Sequence, residues 1–248
     1  MREICIYQKN YEFVILYFFW QKLEMEAEKR AYNEAVYRTG IETKQNIVTS
    51  AKELFYQNGY RNTSVHMICQ AAHAKLGTFT YYFPKKNDLI SLLYREYMQA
   101  CVDYVDGKKL KVSSPEHHLI VVMLYYDHLY SDEAITRFHR EVLEIASMNE
   151  WFDNPRSLIE GFSGIMAEHD DEQKYNLYVR ADNAVRRELN LDFIAGEDHS
   201  PLQVKNLLHD IYTINARLFD VDFDQMEAYL KKAYRFACSS RDAEVSLL

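Results

Sequence analysis

Glycine and proline are scarce in this chain, and this scarcity restricts the possible folds more than any other feature of the sequence. Only 7 glycines and 4 prolines occur among the 248 residues. An all-β fold needs a turn about every 8–12 residues, and turns are built largely from these two residue types. Three prolines also follow a good helix-capping residue, in Ser114-Pro115, Asn154-Pro155 and Ser200-Pro201. Because proline is tolerated in the first turn of a helix, these pairs indicate helix starts rather than breaks.

The apolar residues repeat at helical spacing along most of the chain. The pattern i, i+1, i+4, i+7, i+8 is followed by Ile47, Val48, Ala51, Leu54 and Phe55. Such a stripe is typical of an amphipathic helix, and no convincing alternating strand is present. The sequence therefore predicts an all-α fold, with helices at about residues 25–38, 43–58, 64–71, 75–81, 86–106, 115–130, 132–148, 155–168, 171–189, 201–219 and 222–239.

The N-terminus carries an unbroken apolar run from Phe13 to Trp20. This run is shorter than the roughly 20 residues that a transmembrane helix needs, and no small-residue cleavage site follows it. Three interpretations stay open: an extra helix that packs on the body, an anchor on a membrane surface, or a start assigned upstream of the natural one. In the third case Met25 would be the first residue of the natural chain. No membrane partner is expected.

Charge is distributed unevenly along the chain. The net charge of the whole chain is −8, but residues 43–100 contain seven basic and three acidic residues, a net charge of +4. Residues 108–248 contain 16 basic and 25 acidic residues, a net charge of −9. Binding to phosphates requires a local basic surface rather than a basic chain. The sequence therefore predicts one nucleic-acid-binding module attached to an acidic body.

Neither the cysteines nor any known motif indicates catalysis. The cysteines at positions 5, 69, 101 and 238 are isolated and lack CxxC spacing, which is typical of reduced thiols in a cytoplasmic protein. The chain contains no GxSxG, HExxH, P-loop or dinucleotide-binding motif. We therefore predict a cytoplasmic protein that is not an enzyme and that has no cofactor or metal site.

Residues 43–89 have the pattern of one longer helix followed by two short ones. The first helix ends at Gly59, a natural left-handed cap. Thr63 or Ser64 caps the second helix, and a tight connection leads to a third helix over residues 75–81. A pair of short helices after a longer one is typical of the helix-turn-helix motif.

This segment resembles the N-terminal domain of the TetR/AcrR family of bacterial regulators. Chains of that family share an apolar first helix ending in F…G-[YF]…T-[ST]-[VM]…I, followed by G…YY.F…K..L. The matching residues lie in register without a gap and are Phe55, Gly59, Tyr60, Thr63, Ser64, Val65, Ile68, Ala72, Gly77, Phe79, Tyr81, Phe83, Pro84, Lys86 and Leu89. The resemblance implies that the rest of the chain is a variable all-α domain that binds an effector and dimerises.

The sequence departs from the family pattern on the DNA-facing helix and at its rim. His73 stands where the family usually has the glycine of the turn, so we expect a strained or differently shaped turn. Lys75-Leu76 replaces a common Ser-Lys pair, and Lys85 stands where a Ser often caps the next helix. A frequent Tyr and His are replaced by Thr80 and Tyr82. These departures concern the DNA sequence that is recognised rather than the fold.

The resemblance implies a set of DNA contacts on and around the third helix. The residues expected in the major groove are Lys75, Gly77, Thr78 and Thr80. There Lys can read guanine acceptors, Thr can contact a thymine methyl, and Gly lets the backbone approach closely. Contacts at the rim, including those to phosphates, are expected from Thr43, Thr63, Ser64, Tyr81, Tyr82 and Lys86. A purely structural three-helix unit with solvated charges is the alternative.

Residues 108–248 are rich in aromatic residues, Met and His. This composition fits a ligand pocket, which is mostly apolar with a few polar groups, although an ordinary aromatic core has the same composition. The predicted ligand-binding residues are Tyr125, Tyr126, His128, Phe138, Trp151, Phe162, Met166 and Tyr178.

These observations predict a ligand-responsive, DNA-binding transcriptional regulator in three parts. Residues 1–42 form an N-terminal extension, residues 43–90 the helix-turn-helix domain, and residues 91–248 a helical effector-binding and dimerisation domain. The expected partners are a palindromic double-stranded DNA operator, a small apolar or amphipathic effector of unknown identity that relieves repression, and a second copy of the chain. The helix at residues 201–219 looks too apolar for a free surface, which predicts dimerisation through the C-terminal helices; its apolar residues are Leu207, Leu208, Ile211, Ile214, Leu218 and Phe219. The alternatives are a helix-turn-helix relic that binds proteins and an all-α enzyme without a recognisable motif.

Overall fold

The structure is a computed structural model that describes residues 39–145, 172–219 and 226–248. Within these ranges the backbone forms nine α-helices and no β-strand, which confirms the all-α prediction. The helices are α1 (residues 39–58), α2 (Val65–Ala71), α3 (Leu76–Tyr82), α4 (Lys86–Gly107), α5 (Ser114–Tyr130), α6 (Glu133–Ile145), α7 (Glu172–Ala195), α8 (Pro201–Phe219) and α9 (Met226–Ser239). The helices predicted at residues 25–38 and 155–168, and the apolar run from Phe13 to Trp20, lie outside the described residues.

The chain divides into two compact units, residues 1–47 and residues 48–248. In the first unit the structure describes only the beginning of α1, where the Thr43 hydroxyl donates to the Thr39 carbonyl oxygen at 2.8 Å. The contacts described below all lie within the second unit. None of the helices that the structure describes is both long and apolar enough to cross a membrane.

The helix ends follow the polar signals in the sequence with small shifts. Pro201 is the first residue of α8, as predicted. Helix α5 begins at Ser114, one residue earlier than expected, so Pro115 takes its second position. Helix α7 continues to Ala195, six residues past its predicted end. Its buried face runs on through Asn190 and Ile194, and a polar residue in a buried stripe is invisible to apolar periodicity.

Helix α5 is the centre of the body because it is apolar on every side. It packs against α4, α6, α8 and α9, and its side chains from position 118 to position 127 are all buried. A helix that is hydrophobic all round has to be covered by other elements. Burying each large apolar side chain stabilises the fold by about 1.5–3 kcal/mol, so α5 supplies a large share of the stability of the body.

Helix α6 joins the body to the end of α1 through an aromatic cluster. The Phe138 ring is fully buried, with its centroid 5.0 Å from that of Phe55 and 6.4 Å from those of Tyr60 and Tyr94. Phe138 was predicted to bind the ligand; in the structure it packs under the end of α1, and a ligand role stays a prediction. The amphipathic period of α6 shows that this face is apolar, but it does not show which element covers it.

Candidate nucleic-acid interface

Helices α2 and α3 form a helix-turn-helix pair joined by a tight turn at residues 72–75. Ser64 caps α2, since its Oγ accepts a hydrogen bond from the Met67 N–H at 3.2 Å. In the turn, the Ala74 N–H donates to the Cys69 carbonyl oxygen at 2.9 Å. His73 has a φ of 50°, in the left-handed region where a Cβ atom crowds the backbone. This positive φ agrees with the prediction of a strained or differently shaped turn at the position where the resembling family usually has glycine.

Replacing His73 with glycine is expected to stabilise the protein. Glycine adopts a positive φ without steric cost, so His73→Gly should raise the free energy of unfolding by about 1 kcal/mol. His66→Gly is the matched control, because His66 is exposed in the first turn of α2 and glycine there should lower the free energy of unfolding by about 0.5 kcal/mol. Urea denaturation followed by circular dichroism measures both changes. Equal losses in the two variants would contradict strain in the turn.

Helix α3 buries one side and exposes the other. Phe79 points inward and is 2% exposed, with its ring centroid 5.6 Å from that of Phe83. Thr78 and Tyr82 are half-buried. The exposed residues are Lys75, Leu76, Gly77, Thr80 and Tyr81, and we call the surface that they form the reading face. Three of the four residues predicted for the major groove therefore share one exposed surface.

The other residues predicted at the DNA rim have different environments. Tyr81 is 80% exposed, with its ring centroid 5.0 Å from that of Tyr82. Thr63, in contrast, is 1% exposed, and its hydroxyl donates to the carbonyl oxygens of Leu54 at 3.1 Å and Gly59 at 2.7 Å. These two carbonyl groups lie near the end of α1 and just after it, so the Thr63 hydroxyl ties the connection to α2 back onto α1. Its side chain therefore holds the turn and does not reach the surface where a phosphate contact was predicted.

Lys86 lies at the start of α4 with its ammonium group turned toward the protein. The Nζ atom donates to the carbonyl oxygens of Tyr60 at 2.5 Å and Thr63 at 2.6 Å, and it lies 3.6 Å from the centroid of the Tyr60 ring. Burial lowers the pKa of Lys86 to about 8, and the opposing effect comes from the negative charge of Glu141. Lys86 thus ties α4 to the turn between α1 and α2. A direct phosphate contact by Lys86 stays a prediction.

Helix α6 contacts the same turn through acidic side chains. The Glu141 carboxylate accepts a hydrogen bond from the backbone N–H of Arg61 at 2.8 Å, and the Arg61 guanidinium pairs with Glu144 at 2.7 Å. Gly59 has a φ of 78°, and a Cβ atom added there would lie 2.7 Å from the Glu141 carboxylate oxygens. The backbone conformation therefore favours glycine at this position, and a Cβ atom there would also displace the end of the Glu141 side chain.

Arg137 completes the contact between α6 and the end of α1. Its Nη2 atom donates to the carbonyl oxygens of Tyr56 at 2.8 Å and Gln57 at 3.2 Å. Arg137, Glu141 and the role of Arg61 were not predicted from the sequence. No signal in the sequence distinguishes them from the solvated charges of an ordinary amphipathic helix, because their partners lie about 80 positions away in the chain.

The remaining predicted ligand-binding residues are only partly described. Tyr125 and Tyr126 are buried in α5, and the Tyr125 ring centroid lies 4.6 Å from that of Tyr97. The structure describes the backbone of residue 178 in α7, and three predicted residues, Trp151, Phe162 and Met166, lie outside the described residues. A ligand role for any of these residues stays a prediction.

His128 lines a cleft of about 460 Å³ at the C-terminal end of α5. Asp127, Tyr130, His199 and Arg241 also line this cleft. The Nε2 atom of His128 is buried and has no hydrogen-bond partner among the described residues. Burial raises the pKa of Asp127, while His128 and Arg241 act to lower it. A cleft with these charged and hydrogen-bonding groups suits a molecule that carries polar groups of its own.

The body also contains a buried ion pair on α7. The Arg186 Nε atom donates to both carboxylate oxygens of Asp182, at 2.9 and 2.8 Å, and the two side chains are only 7% and 4% exposed. Asn215 donates to the same carboxylate, and the Arg186 guanidinium lies 5.1 Å from the centroid of the Tyr212 ring. His118 Nε2 lies 2.8 Å from the Tyr212 hydroxyl, and burial lowers the pKa of His118 to about 3. His118 is therefore neutral, and Asp182 is the group that compensates the charge of Arg186.

The apolar residues of α8 are covered mainly within the chain. Leu207, Leu208 and Ile211 are buried, since α8 packs against α5, α7 and α9. Ile214 is 37% exposed, and Leu202 in the first turn is 49% exposed. The side chains of residues 218 and 219 are not among the described ones. The core of the chain itself therefore explains most of the apolar content of α8. This content gives weaker support for a dimer than the sequence suggested.

Comparison with known proteins agrees with the helix-turn-helix geometry. Residues 47–93 match the family model described as bacterial regulatory proteins, tetR family. The chain is 29% identical over 106 residues to the probable HTH-type transcriptional regulator YttP of Bacillus subtilis (strain 168), covering 41% of this chain and 51% of that protein. It is 26% identical over 120 residues to an uncharacterized HTH-type transcriptional regulator in the lacX 3' region of Lactococcus lactis subsp. lactis, covering 46% of this chain and 60% of that protein. The matches thus span about half the length of these relatives.

Proposed function

Because residues 47–93 belong to the tetR family of bacterial regulatory proteins, we propose that this chain is a transcriptional regulator that binds double-stranded DNA through the reading face. The observation that carries the proposal is the exposure of Lys75, Leu76, Gly77, Thr80 and Tyr81 on one side of α3. This helix belongs to the segment of the chain whose net charge is +4. A short exposed helix on a basic domain fits the major groove, and its flanking ammonium groups favour contact with phosphates.

The proposed assembly is a homodimer in the cytoplasm that binds a palindromic operator. Residues 43–90 of each copy then form one DNA-binding head, and residues 91–248 bind the effector and the second copy. Two heads that read one face of the duplex lie about 34 Å apart or a small multiple of that distance. The exposed Leu202 and Ile214 on α8 support a contribution of this helix to the dimer.

The proposed regulation is release of the operator when a small amphipathic molecule binds the body. A ligand can change DNA affinity only if it binds the two arrangements of the heads with different affinity. Helix α6 supports such coupling, because Arg137 binds a backbone carbonyl at the end of α1 and Glu141 binds a backbone N–H in the turn between α1 and α2. The polar cleft beside His128 is the proposed place for the charged or hydrogen-bonding end of the effector.

An electrophoretic mobility shift assay tests the DNA-binding function. The full chain is titrated against the DNA upstream of its own gene and against a scrambled duplex of equal length. Preferential binding to the upstream DNA supports a regulator. Equal weak binding to both duplexes, or none, would favour the two alternatives, a relic that binds other proteins or an all-α enzyme.

Replacing Lys75 or Lys86 with alanine is expected to weaken DNA binding in two different ways. Lys75 is exposed before the first turn of α3. If it reads a base edge, Lys75→Ala should cost about 1–3 kcal/mol per half-site on the operator and little on scrambled DNA. Lys86→Ala should weaken binding to both duplexes alike. A lost phosphate contact should also lower the slope of log affinity against log salt concentration by about one unit per half-site.

Titration of both variants at several salt concentrations separates these outcomes. Lys86→Ala also removes the hydrogen bonds to the turn, so its unfolding by urea is measured in parallel. A loss of stability without a change in the salt slope would assign Lys86 to the fold alone. Equal losses on both duplexes for Lys75→Ala would contradict base reading by Lys75.

A further inference from the structure

The reading face carries apolar groups at positions where polar readers of base edges are expected. Leu76 is 48% exposed in the first turn of α3, and its neighbour Gly77 has no side chain. Neither the core nor the proposed phosphate contacts use Leu76. Single exposed apolar side chains are common on protein surfaces. Leu76 therefore becomes informative only together with a second observation on the same surface.

Thr80 supplies that second observation. Its hydroxyl donates to the carbonyl oxygen of Leu76 at 2.6 Å, which is the bond that a threonine makes to residue i−4 within a helix. The hydroxyl hydrogen is therefore already used inside the helix, and Thr80 as a residue is exposed, so its Cγ2 methyl is available for an apolar contact. Because residues i and i+4 are neighbours on a helix surface, this methyl lies beside the Leu76 side chain.

Gly77 leaves the space next to this pair open. A Cβ atom added to Gly77 would have no heavy atom of the protein within 4 Å. Leu76, Gly77 and Thr80 thus form an apolar strip that a flat or edge-on partner can approach closely. We call these three residues the apolar strip.

The orientation of the strip is fixed by the other side of α3. Phe79 and Phe83 are 2% and 3% exposed, and the Phe83 N–H donates to the Phe79 carbonyl oxygen at 2.7 Å. Any movement of α3 that brought the Phe79 ring out of the core would expose it to water. Burying a Phe side chain is worth about 1.5–3 kcal/mol, so this ring holds α3 in the orientation that leaves Leu76 48% exposed.

The charges around the strip indicate the chemistry of its partner. Lys75 directly precedes the strip, and Lys85 is exposed at the start of α4. An apolar strip flanked by ammonium groups suits a polyanion that also displays apolar groups. In the major groove of B-DNA the apolar group at a base edge is the C5 methyl of thymine. RNA fits poorly, because uracil lacks this methyl and the major groove of A-form RNA is too narrow for side chains.

We propose that Leu76 and the Thr80 methyl form a contact for thymine methyl groups, so that each operator half-site carries thymines at the positions facing α3. This inference rests on the proposed function and deepens it, because it names the base that the reading face recognises. Base recognition by the strip is then apolar and depends on fit. The flanking ammonium groups add attraction to the phosphates, and the thymine positions are selected by the strip whether or not Lys75 also reads a base elsewhere.

The test removes the thymine methyl and nothing else. Wild-type full-length protein first selects a duplex from a pool of random sequences. Each thymine of the selected duplex is then replaced in turn by deoxyuridine, and the affinity is measured by fluorescence anisotropy. At the positions that face α3, deoxyuridine should lower the affinity of the wild-type protein about fourfold for each methyl removed. Leu76→Ala should lose a similar factor on the thymine duplex and become insensitive to deoxyuridine at the same positions.

Leu202→Ala is the matched control, because Leu202 has nearly the same exposure in the first turn of α8. It should leave the affinity and the response to deoxyuridine unchanged. Equal binding of thymine and deoxyuridine duplexes by the wild-type protein at every position would overturn the inference but not the proposed function. So would a Leu76→Ala variant that keeps the full response. Failure to select any sequence would instead overturn the proposed function and favour a protein partner for this face.

Discussion

A Gly77→Leu variant is expected to fold more stably than the wild-type protein and to lose specific DNA binding. Gly77 has a backbone conformation open to any residue, and an added Cβ atom meets no heavy atom within 4 Å. Replacing a glycine inside a helix with leucine should therefore raise the free energy of unfolding by about 0.5–1 kcal/mol. On the reading face, however, the new side chain prevents close approach of the backbone to the groove. Operator affinity should fall on the order of a thousandfold, to the level of non-specific binding.

Gly107→Leu is the control that separates the two effects. Gly107 is exposed at the end of α4, and an added Cβ atom there also meets no neighbour. The same chemical change at this position should leave DNA binding intact. Thermal unfolding and anisotropy titrations measure stability and affinity for both variants. Operator binding by Gly77→Leu at the wild-type level would show that α3 does not lie in the groove as proposed.

Asp182→Asn is expected to be the most destabilising of the substitutions considered. The carboxylate of Asp182 is the charge that compensates Arg186 inside the body, and both side chains are almost fully buried. Removing one partner of a buried ion pair leaves an uncompensated charge in a medium of low polarity. The free energy of unfolding should therefore fall by about 3–5 kcal/mol. Urea denaturation at neutral pH and at one fixed protein concentration gives the value, since a dimer would make stability depend on concentration.

Two further variants identify burial as the cause. Glu227 and Lys231 form another i,i+4 pair, on α9. The Lys231 Nζ atom lies 3.6 Å from a carboxylate oxygen of Glu227, and the side chains of Glu227 and Lys231 are 46% and 62% exposed. Breaking this pair with Lys231→Met should change the free energy of unfolding by less than about 1 kcal/mol. The double variant Asp182→Leu with Arg186→Met removes both buried charges and should recover most of the stability lost in Asp182→Asn. A double variant as unstable as Asp182→Asn would argue that the lost packing, rather than the lone charge, destabilises the protein.

Helix positions and the helix-turn-helix pair were accessible from the sequence because their signals are local. Capping by Ser64, proline in the first turn of α8 and the apolar stripe of α1 all act over a few residues. The turn at His73 shows the same principle. A residue with a Cβ in place of the usual glycine predicts a strained or differently shaped turn, and the structure has a φ of 50° there.

The contacts of individual side chains were decided only by the tertiary structure. An apolar period shows which face of a helix is buried but not what covers it, so Phe138 was assigned to a ligand and Leu207 to a second copy of the chain. The sequence likewise does not show which group a lysine or threonine of a DNA-binding motif contacts. Lys86 bonds to carbonyl oxygens 23 and 26 positions away, and Thr63 bonds to those of the preceding helix end. Caps, periods and turns are short-range properties of the chain. The packing of α6 against the end of α1 and the α1–α2 turn instead joins groups about 80 residues apart. These groups come together only after the helices have packed.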